Sequence, residues 1–289
     1  MTTGRNSLLR KLLSTESEWN PKVILGRTLL RLLPERAIHR LKKSYYAYLI
    51  THMPESWIER DAFIARNFIF PGDTVLDIGA NLGVFTRMLS RCVGARGKVY
   101  SFEPVPETFD YLVNNIRKLG LNNVEALNFA ASDLERTDTM VIPTYRWGSE
   151  CWYDACIKTE TADPSWRTLE VKSRPLDSYF AEASRGARIS FIKCDANGHE
   201  LAVLRGAMRC IRESMPAMLI EVNDNPDDHT TTAFATFELL QDAGFNAYWF
   251  DGGSIAPRQP GQRSQNYFFL TYRHVKALDS AEPRLLKTS

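Results

Sequence analysis

The sequence is poor in the features that mark several protein classes. Its five cysteines (Cys92, Cys151, Cys156, Cys194 and Cys210) are odd in number and include no C-x-x-C pair. That argues against a disulfide framework and offers no zinc-clip spacing, so a reduced, cytoplasmic compartment is expected. No run approaches the roughly 20 apolar residues of a membrane helix. Residues 1–13 are broken by Arg5, Arg10 and Lys11, so no signal peptide is expected there. Only five histidines occur, and none forms a His/carboxylate set with metal spacing, so no metal is expected. Net charge is only +2, which gives no reason to expect nucleic acid as a partner. No internal repeat is visible.

What is present reads as an ordinary globular chain: 289 residues, 44% hydrophobic and 24% charged, enough for one large domain with an appendage. The charge is unevenly spread. Residues 1–48 hold ten Lys or Arg against Glu16, Glu18 and Glu35, so that segment is +7 and the remainder is −5 of the +2 total. Over residues 8–66 apolar residues recur at helical spacing, interrupted by Pro21, Pro34 and Pro54, which predicts several short helices and no strand. This extension, residues 1–66, has three readings. It caps the acceptor side of a cleft, it draws the molecule to an anionic membrane surface, or it is a solvated helix face.

From Pro71-Gly72 onward short apolar runs alternate with helical stretches. Strands are expected at 74–78, 98–102, 124–129, 189–194, 217–222, 245–250 and 266–271, with helices at 82–92, 106–119, 176–180, 199–213 and 231–243. Such alternation means βαβ units and a mostly parallel sheet. The last two strands have no helix between them, so the final one is expected antiparallel. Residues 138–171 read as irregular with strand-like ends, and residues 274–289 as a polar tail.

The chemistry begins after the first strand, at Asp77-Ile78-Gly79-Ala80-Asn81-Leu82-Gly83. Glycines there permit a tight turn and close backbone approach, and the loop opens into a helix whose N-terminus favours an anionic group. The second strand ends at Glu103-Pro104, where a carboxylate can accept hydrogen bonds from both hydroxyls of a ribose. A dinucleotide loop would read G-x-G-x-x-G. Here an aspartate opens the loop and the third glycine is missing, which suits a methionyl ammonium better than a pyrophosphate. S-adenosyl-L-methionine is therefore favoured over NAD.

With those residues in view, the chain resembles the FkbM family of S-adenosylmethionine-dependent methyltransferases. The resemblance covers residues 68–222 and rests on DIGANLG at 77–83, FEP at 102–104, AASD at 130–133, the V-x-x-x-x-L-D-S-Y pattern at 171–179 and FIKCDANGHELAVLRGA at 191–207. It implies a class I methyltransferase fold, α/β and Rossmann-like, with a seven-stranded sheet across residues 67–273. It also implies O-methylation of a hydroxyl on a sugar, glycolipid or secondary metabolite. Asp77, Gly79, Ala80, Asn81 and Gly83 would hold the methionyl end and Glu103 with Pro104 the ribose, with Ala131, Ser132 and Asp133 near the adenine. One position departs from the family pattern: Asn197 stands where a carboxylate is usual.

Asp195 follows the fourth strand at the carboxyl edge, where open α/β sheets bind ligands. It reads as base, as positioner of the acceptor hydroxyl, or as a helix cap. His199 is a second candidate base by its ordinary pKa, or a first-turn histidine without a role. Glu221 and Asn223, at the end of the fifth strand, are candidate acceptor contacts, as are Trp147 and Trp152, whose rings would stack on a sugar face or pin an inserted loop to the core. The expected partner is a small-molecule or glycan acceptor.

Overall fold

The computed structural model describes residues 33–54, 60–145, 149–150, 155–157, 163–182, 188–250, 252–282 and 285–286. Among the described residues two helices, α1 (Glu35–His52) and α2 (Arg60–Ala65), precede an alternating core. That core runs β1 (Thr74–Ile78), α3 (Val84–Val93), β2 (Lys98–Phe102), α4 (Pro106–Leu119) and β3 (Val124–Leu127). Short β4 (Ala130–Ala131) and long β5 (Arg136–Ile142) lead through β6 (Thr144–Tyr145), β7 (Ser149–Glu150) and β8 (Cys156–Ile157) to β9 (Arg167–Arg174) and α5 (Leu176–Glu182). The remainder is β10 (Ile189–Cys194), α6 (Glu200–Gly206), α7 (Met208–Ser214), β11 (Ala217–Glu221), α8 (Thr232–Asp242), β12 (Asn246–Phe250), β13 (Ile255–Pro257), β14 (Asn266–Leu270) and α9 (Tyr272–Ala281).

The main sheet has the order β13-β12-β14-β11-β10-β1-β2-β3. Strands β3, β2, β1, β10 and β11 are parallel, and β14 is inserted antiparallel between β11 and β12. This is the expected class I methyltransferase sheet, with β13 adding an eighth short strand at one edge. The central strands are mostly apolar and buried on both faces, as parallel strands flanked by helices are, with Asp77 and Lys193 near their carboxyl ends as the charged exceptions. Register decides the rest. Ile78 pairs with both Phe102 and Cys194, and Cys194 pairs with Ile220, so Gly79, Glu103, Asp195 and Glu221 emerge level at one sheet edge.

Local chemistry sets the helix ends. Pro106 opens α4, where its missing N–H costs nothing. Gly120 closes it in the left-handed region (φ 66°), with Gly120 N donating to Arg117 O and Leu121 N to Ile116 O. The single helix expected over 199–213 is split at Ala207. Gly206 packs so tightly on Ser132 that a Cβ there would lie 1.8 Å from the Ser132 carbonyl oxygen, and the chain re-enters helix only at Met208.

Two stretches correct the sequence reading. Residues 138–171 do not merely end in strand-like pieces: β5 and β9 pair antiparallel over seven residues, Arg136↔Ser173 to Ile142↔Arg167, within a second sheet of order β4-β9-β5-β8. Trp147 and Trp152 lie outside the described residues. The polar tail expected from residue 274 instead begins inside α9. Thr271 and His274 form a reciprocal cap, and Leu278 is buried against the core while its neighbours on the helix face solvent. Sparse apolar residues at helical spacing were outnumbered by polar ones, so composition hid the helix.

The described part of the N-terminal extension is docked. Lys43 Nζ and His39 Nε2 reach Asp110 on α4 at 2.6 and 2.7 Å. The His39 ring stacks on Tyr111 with centroids 4.8 Å apart, and buried Arg87 of α3 donates to the carbonyls of Ile50 and Met53. Leu278→Ala should lower the unfolding free energy by about 2–4 kcal/mol in urea titration, the cost of truncating a buried leucine. The exposed neighbour Asp279→Ala should stay within about 0.5 kcal/mol; equal effects would mean that α9 is not packed.

Candidate functional site

The loop after β1 turns on Gly79 (φ 74°), Asn81 (φ 49°) and Gly83 (φ 88°), three left-handed residues in five. At Gly79 the requirement is steric: a Cβ would sit 1.8 Å from the Asp195 carbonyl oxygen. The backbone N–H groups of Gly79 and Ala80 both donate to Phe102 O, at 3.0 and 2.9 Å, and Asp195 N donates to Ile78 O at 3.1 Å. The loop is thus stitched to the ends of β2 and β10 by main-chain bonds.

Above it lies a cavity of about 270 Å³. Glu103, at the end of β2, is buried beside it and takes backbone N–H bonds on both oxygens, from Asn81 at 2.9 Å and Val105 at 3.0 Å. Burial pushes its carboxyl up to about 7, against the pull of those donors. Around Glu103 the wall is mainly apolar, formed by Val105, Phe129, Ala131, Met140 and Ile157 with Pro104. A carboxylate beside an apolar slot fits a nucleoside: hydroxyls on the acid, base in the slot.

At the far side of the same cavity stand Asp195 and Glu221. Lys193 Nζ donates to Asp195 Oδ2 at 2.9 Å and to Gly79 O at 3.3 Å. Burial alone would raise the Asp195 carboxyl, but the Lys193 ammonium and a hydrogen bond from Glu221 outweigh it and hold it below the ordinary range. For Lys193, the charges of Asp195 and Asp77 overcome burial and raise its pKa. Burial, followed by the hydrogen bond to Asp195 and its charge, pushes Glu221 up to about 8. The pair therefore holds one proton at neutral pH, resting on Glu221.

The sequence-predicted residues divide. Gly79, Asn81, Glu103, Pro104, Ala131, Asp195, His199 and Glu221 come together on the cavity. Ala80 is buried behind it and Gly83 starts α3. Asp77 lies beneath the loop, fully buried: Thr86 Oγ1 donates to its Oδ2 at 2.5 Å, and its Oδ1 has no hydrogen-bond partner among the described residues. Burial raises its pKa, against Lys193 and Thr86. Ser132 is buried one layer out, its Oγ 2.9 Å from His199 Nε2, and Asp133 turns to Arg136. Burial lowers the His199 pKa, so its ring is neutral at pH 7. Asn223 is exposed and reaches Glu221 only at 3.4 Å. Among the described residues no group of three or more potential ligands could hold a metal, and no helix is long and apolar enough to cross a membrane.

Two features escaped the sequence. Glu200 reaches back to accept from Ala196 N and Gly198 N at 2.9 and 3.1 Å, tightening the turn that carries Asn197. Asn197 itself, left-handed at φ 50°, donates from Nδ2 to Ala155 O at 3.0 Å. An amide can make that bond and a carboxylate cannot. The substitution of the usual acid therefore ties the second sheet, through Ala155 next to β8, onto the cavity rim.

Comparison with known proteins gives the family. The methyltransferase FkbM domain matches residues 77–247. The chain is 24% identical over 220 residues to methyltransferase 1 of Beauveria bassiana, covering 70% of this chain and 85% of that protein. It is 25% identical over 170 residues to the hexuronic acid methyltransferase AglP of Haloferax volcanii, covering 55% and 60%. An FkbM methyltransferase structure from Methylobacillus flagellatus superposes with TM-score 0.45 at 16% identity, over 92% of this chain and 59% of that one. The chain belongs to the FkbM methyltransferase family.

The proton on Glu221 has a stability consequence. Its folded pKa lies above its ordinary value, so between those values the folded state binds more protons than the unfolded chain, and stability falls as pH rises through that window. Glu103, raised in the same way, adds to the fall, so from pH 7 to 8.5 the unfolding free energy should drop by about 1 kcal/mol or more, and Glu221→Gln should make the slope clearly shallower. A variant slope equal to the wild-type slope would contradict the assignment.

Proposed function

We propose that this FkbM-family methyltransferase methylates a hydroxyl on a sugar, glycolipid or secondary metabolite, with Glu221 and Asp195 together receiving the hydroxyl proton. One observation carries the reading: a buried carboxylate beside an apolar slot and a proton-sharing carboxyl pair face each other across a single cavity. The relative that acts on a hexuronic acid supports a sugar as the class of acceptor.

The residues present fit the cofactor. Glu103 would take the ribose hydroxyls, the slot from Val105 to Ile157 the adenine, and the loop from Gly79 to Gly83 the methionyl end. Bound there, S-adenosyl-L-methionine supplies an electrophilic methyl group on a sulfonium. The chain's own task is alignment and proton management. Aligning two bound reactants removes the entropy of a bimolecular encounter. An alcohol must also lose its proton as the new bond forms, and a base works best with a pKa near the working pH. Asp195 is held too low by Lys193 to be that base alone. Glu221, pushed up to about 8, is the better proton acceptor once ionised, while Asp195 orients the hydroxyl. His199, held by Ser132, serves as a positioning residue on the wall.

Calorimetric titration with S-adenosylhomocysteine should give micromolar binding and none with NAD⁺. Glu103→Gln should weaken it by about 10- to 100-fold, the worth of hydrogen bonds to a charged group. With radiolabelled S-adenosylmethionine and a glycan or extract acceptor, turnover should rise with pH through about 8, and Glu221→Gln should lower it by roughly 10²–10⁴. No binding of S-adenosylhomocysteine would overturn the cofactor placement. A pH-independent rate, or a fully active Glu221→Gln enzyme, would overturn the base.

A further inference from the structure

Asp195 and Glu221 also line a second cavity, of about 260 Å³. Its remaining polar wall comes from Lys193 of β10, from Asp61 of α2 and from Gln265 and Asn266 at the start of β14. Register explains the meeting, because Asn266 pairs with Glu221 across the antiparallel strands. Asn266 Nδ2 donates to Asp61 Oδ2 at 3.0 Å, fixing α2 over the sheet edge. Phe85 and Leu219 supply an apolar side.

Three considerations identify the occupant. First, a methyl donor in the first cavity meets an acceptor in the second across the shared carboxyl pair, where the hydroxyl proton must go. Second, Asp61, Gln265 and Asn266 all lie outside the family-matched residues 77–247. The residues assigned above to the cofactor all lie within that span, so this wall is built from a part of the chain that the cofactor reading does not use. Third, the charge in the cavity is acidic. Its one ammonium, Lys193, is engaged by Asp195 and the Gly79 carbonyl, Glu221 carries a proton at neutral pH, and the group left for an incoming anion to face is the Asp61 carboxyl. A uronate or phosphate would enter against like charge with its hydration lost. Hydroxyls, by contrast, find an acceptor in Asp61 and both donors and acceptors in the two amides.

We propose that this second cavity is the acceptor subsite and takes an uncharged, hydroxylated ring, such as a neutral monosaccharide unit, in preference to an acidic one. The inference rests on the methyltransferase reading above, and the test separates the two. Saturation-transfer NMR would be run on the full chain loaded with S-adenosylhomocysteine. The probes are methyl glycosides of glucose, galactose, mannose, rhamnose and fucose, with methyl glucuronoside and glucose 6-phosphate as the anionic set. At least one neutral glycoside should receive saturation and the anionic probes should not. Asp61→Asn and Gln265→Ala should each weaken the neutral glycoside by about tenfold, with S-adenosylhomocysteine affinity within about threefold of wild type. Gln265 is exposed, so its variant should fold even if the other does not. Preferential binding of the anionic probes, or no binding of any neutral glycoside, would overturn the proposal. So would a Gln265→Ala variant that loses cofactor as much as glycoside, because the cavity would then belong to the cofactor. Failure of the wild type to bind S-adenosylhomocysteine would defeat the earlier reading instead.

Discussion

The site depends on one close approach. The Cα of Gly79 lies so near the Asp195 carbonyl that no side chain fits between them, and this contact holds the loop after β1 against the turn after β10. Everything chemical in the molecule hangs from those two segments. The loop presents Asn81 to Glu103, and the turn presents Asp195 to Lys193 and Glu221. Parallel pairing brings the strand ends level, and this contact sets the loop that carries Asn81 directly beside the turn that carries Asp195. Main-chain bonds from Gly79, Ala80 and Asp195 then make the arrangement rigid, which is what alignment of two reactants requires.

Electrostatics divides the labour among carboxyls that share one edge. Four acids, Asp77, Glu103, Asp195 and Glu221, surround one ammonium, Lys193. They cannot all be ionised in so dry a place. Lys193 sides with Asp195 through a direct bond, so burial lifts the others, and Glu221 becomes the one that gains and loses a proton near neutrality. Similar residues thus take different roles because of their neighbours. Asn197 fits the same economy of charge: a neutral amide on this rim adds no further acid and instead binds the second sheet through Ala155.

Much of this was legible in the residues. Short apolar runs alternating with helical periods gave the parallel sheet, and Gly-x-x-x-Gly after a strand, with an acid closing the next strand, marked the edge on which the cavity lies. Asp195 was identifiable because it follows a strand. The rest depended on contacts that no local pattern records. Glu221 read as one polar residue among several, since its pKa arises from burial and from a neighbour on another strand. Asp77 read as a ligand, yet its carboxylate points beneath the loop to Thr86. Asp61 and Asn266 meet across 205 positions of sequence, so nothing short of the fold joins them. The β5–β9 pairing was masked by the long connection between its halves, and α9 by its polar majority.

The most direct test is Gly79→Ala, assayed by calorimetry with S-adenosylhomocysteine alongside thermal unfolding of the free protein. The added methyl meets backbone, which cannot swing aside, so the loop and the Asp195 turn must part. The structure predicts loss of measurable cofactor binding in a protein that still unfolds cooperatively, with a lowered Tm. Unchanged affinity in Gly79→Ala would contradict it, because the site would then not rest on that contact.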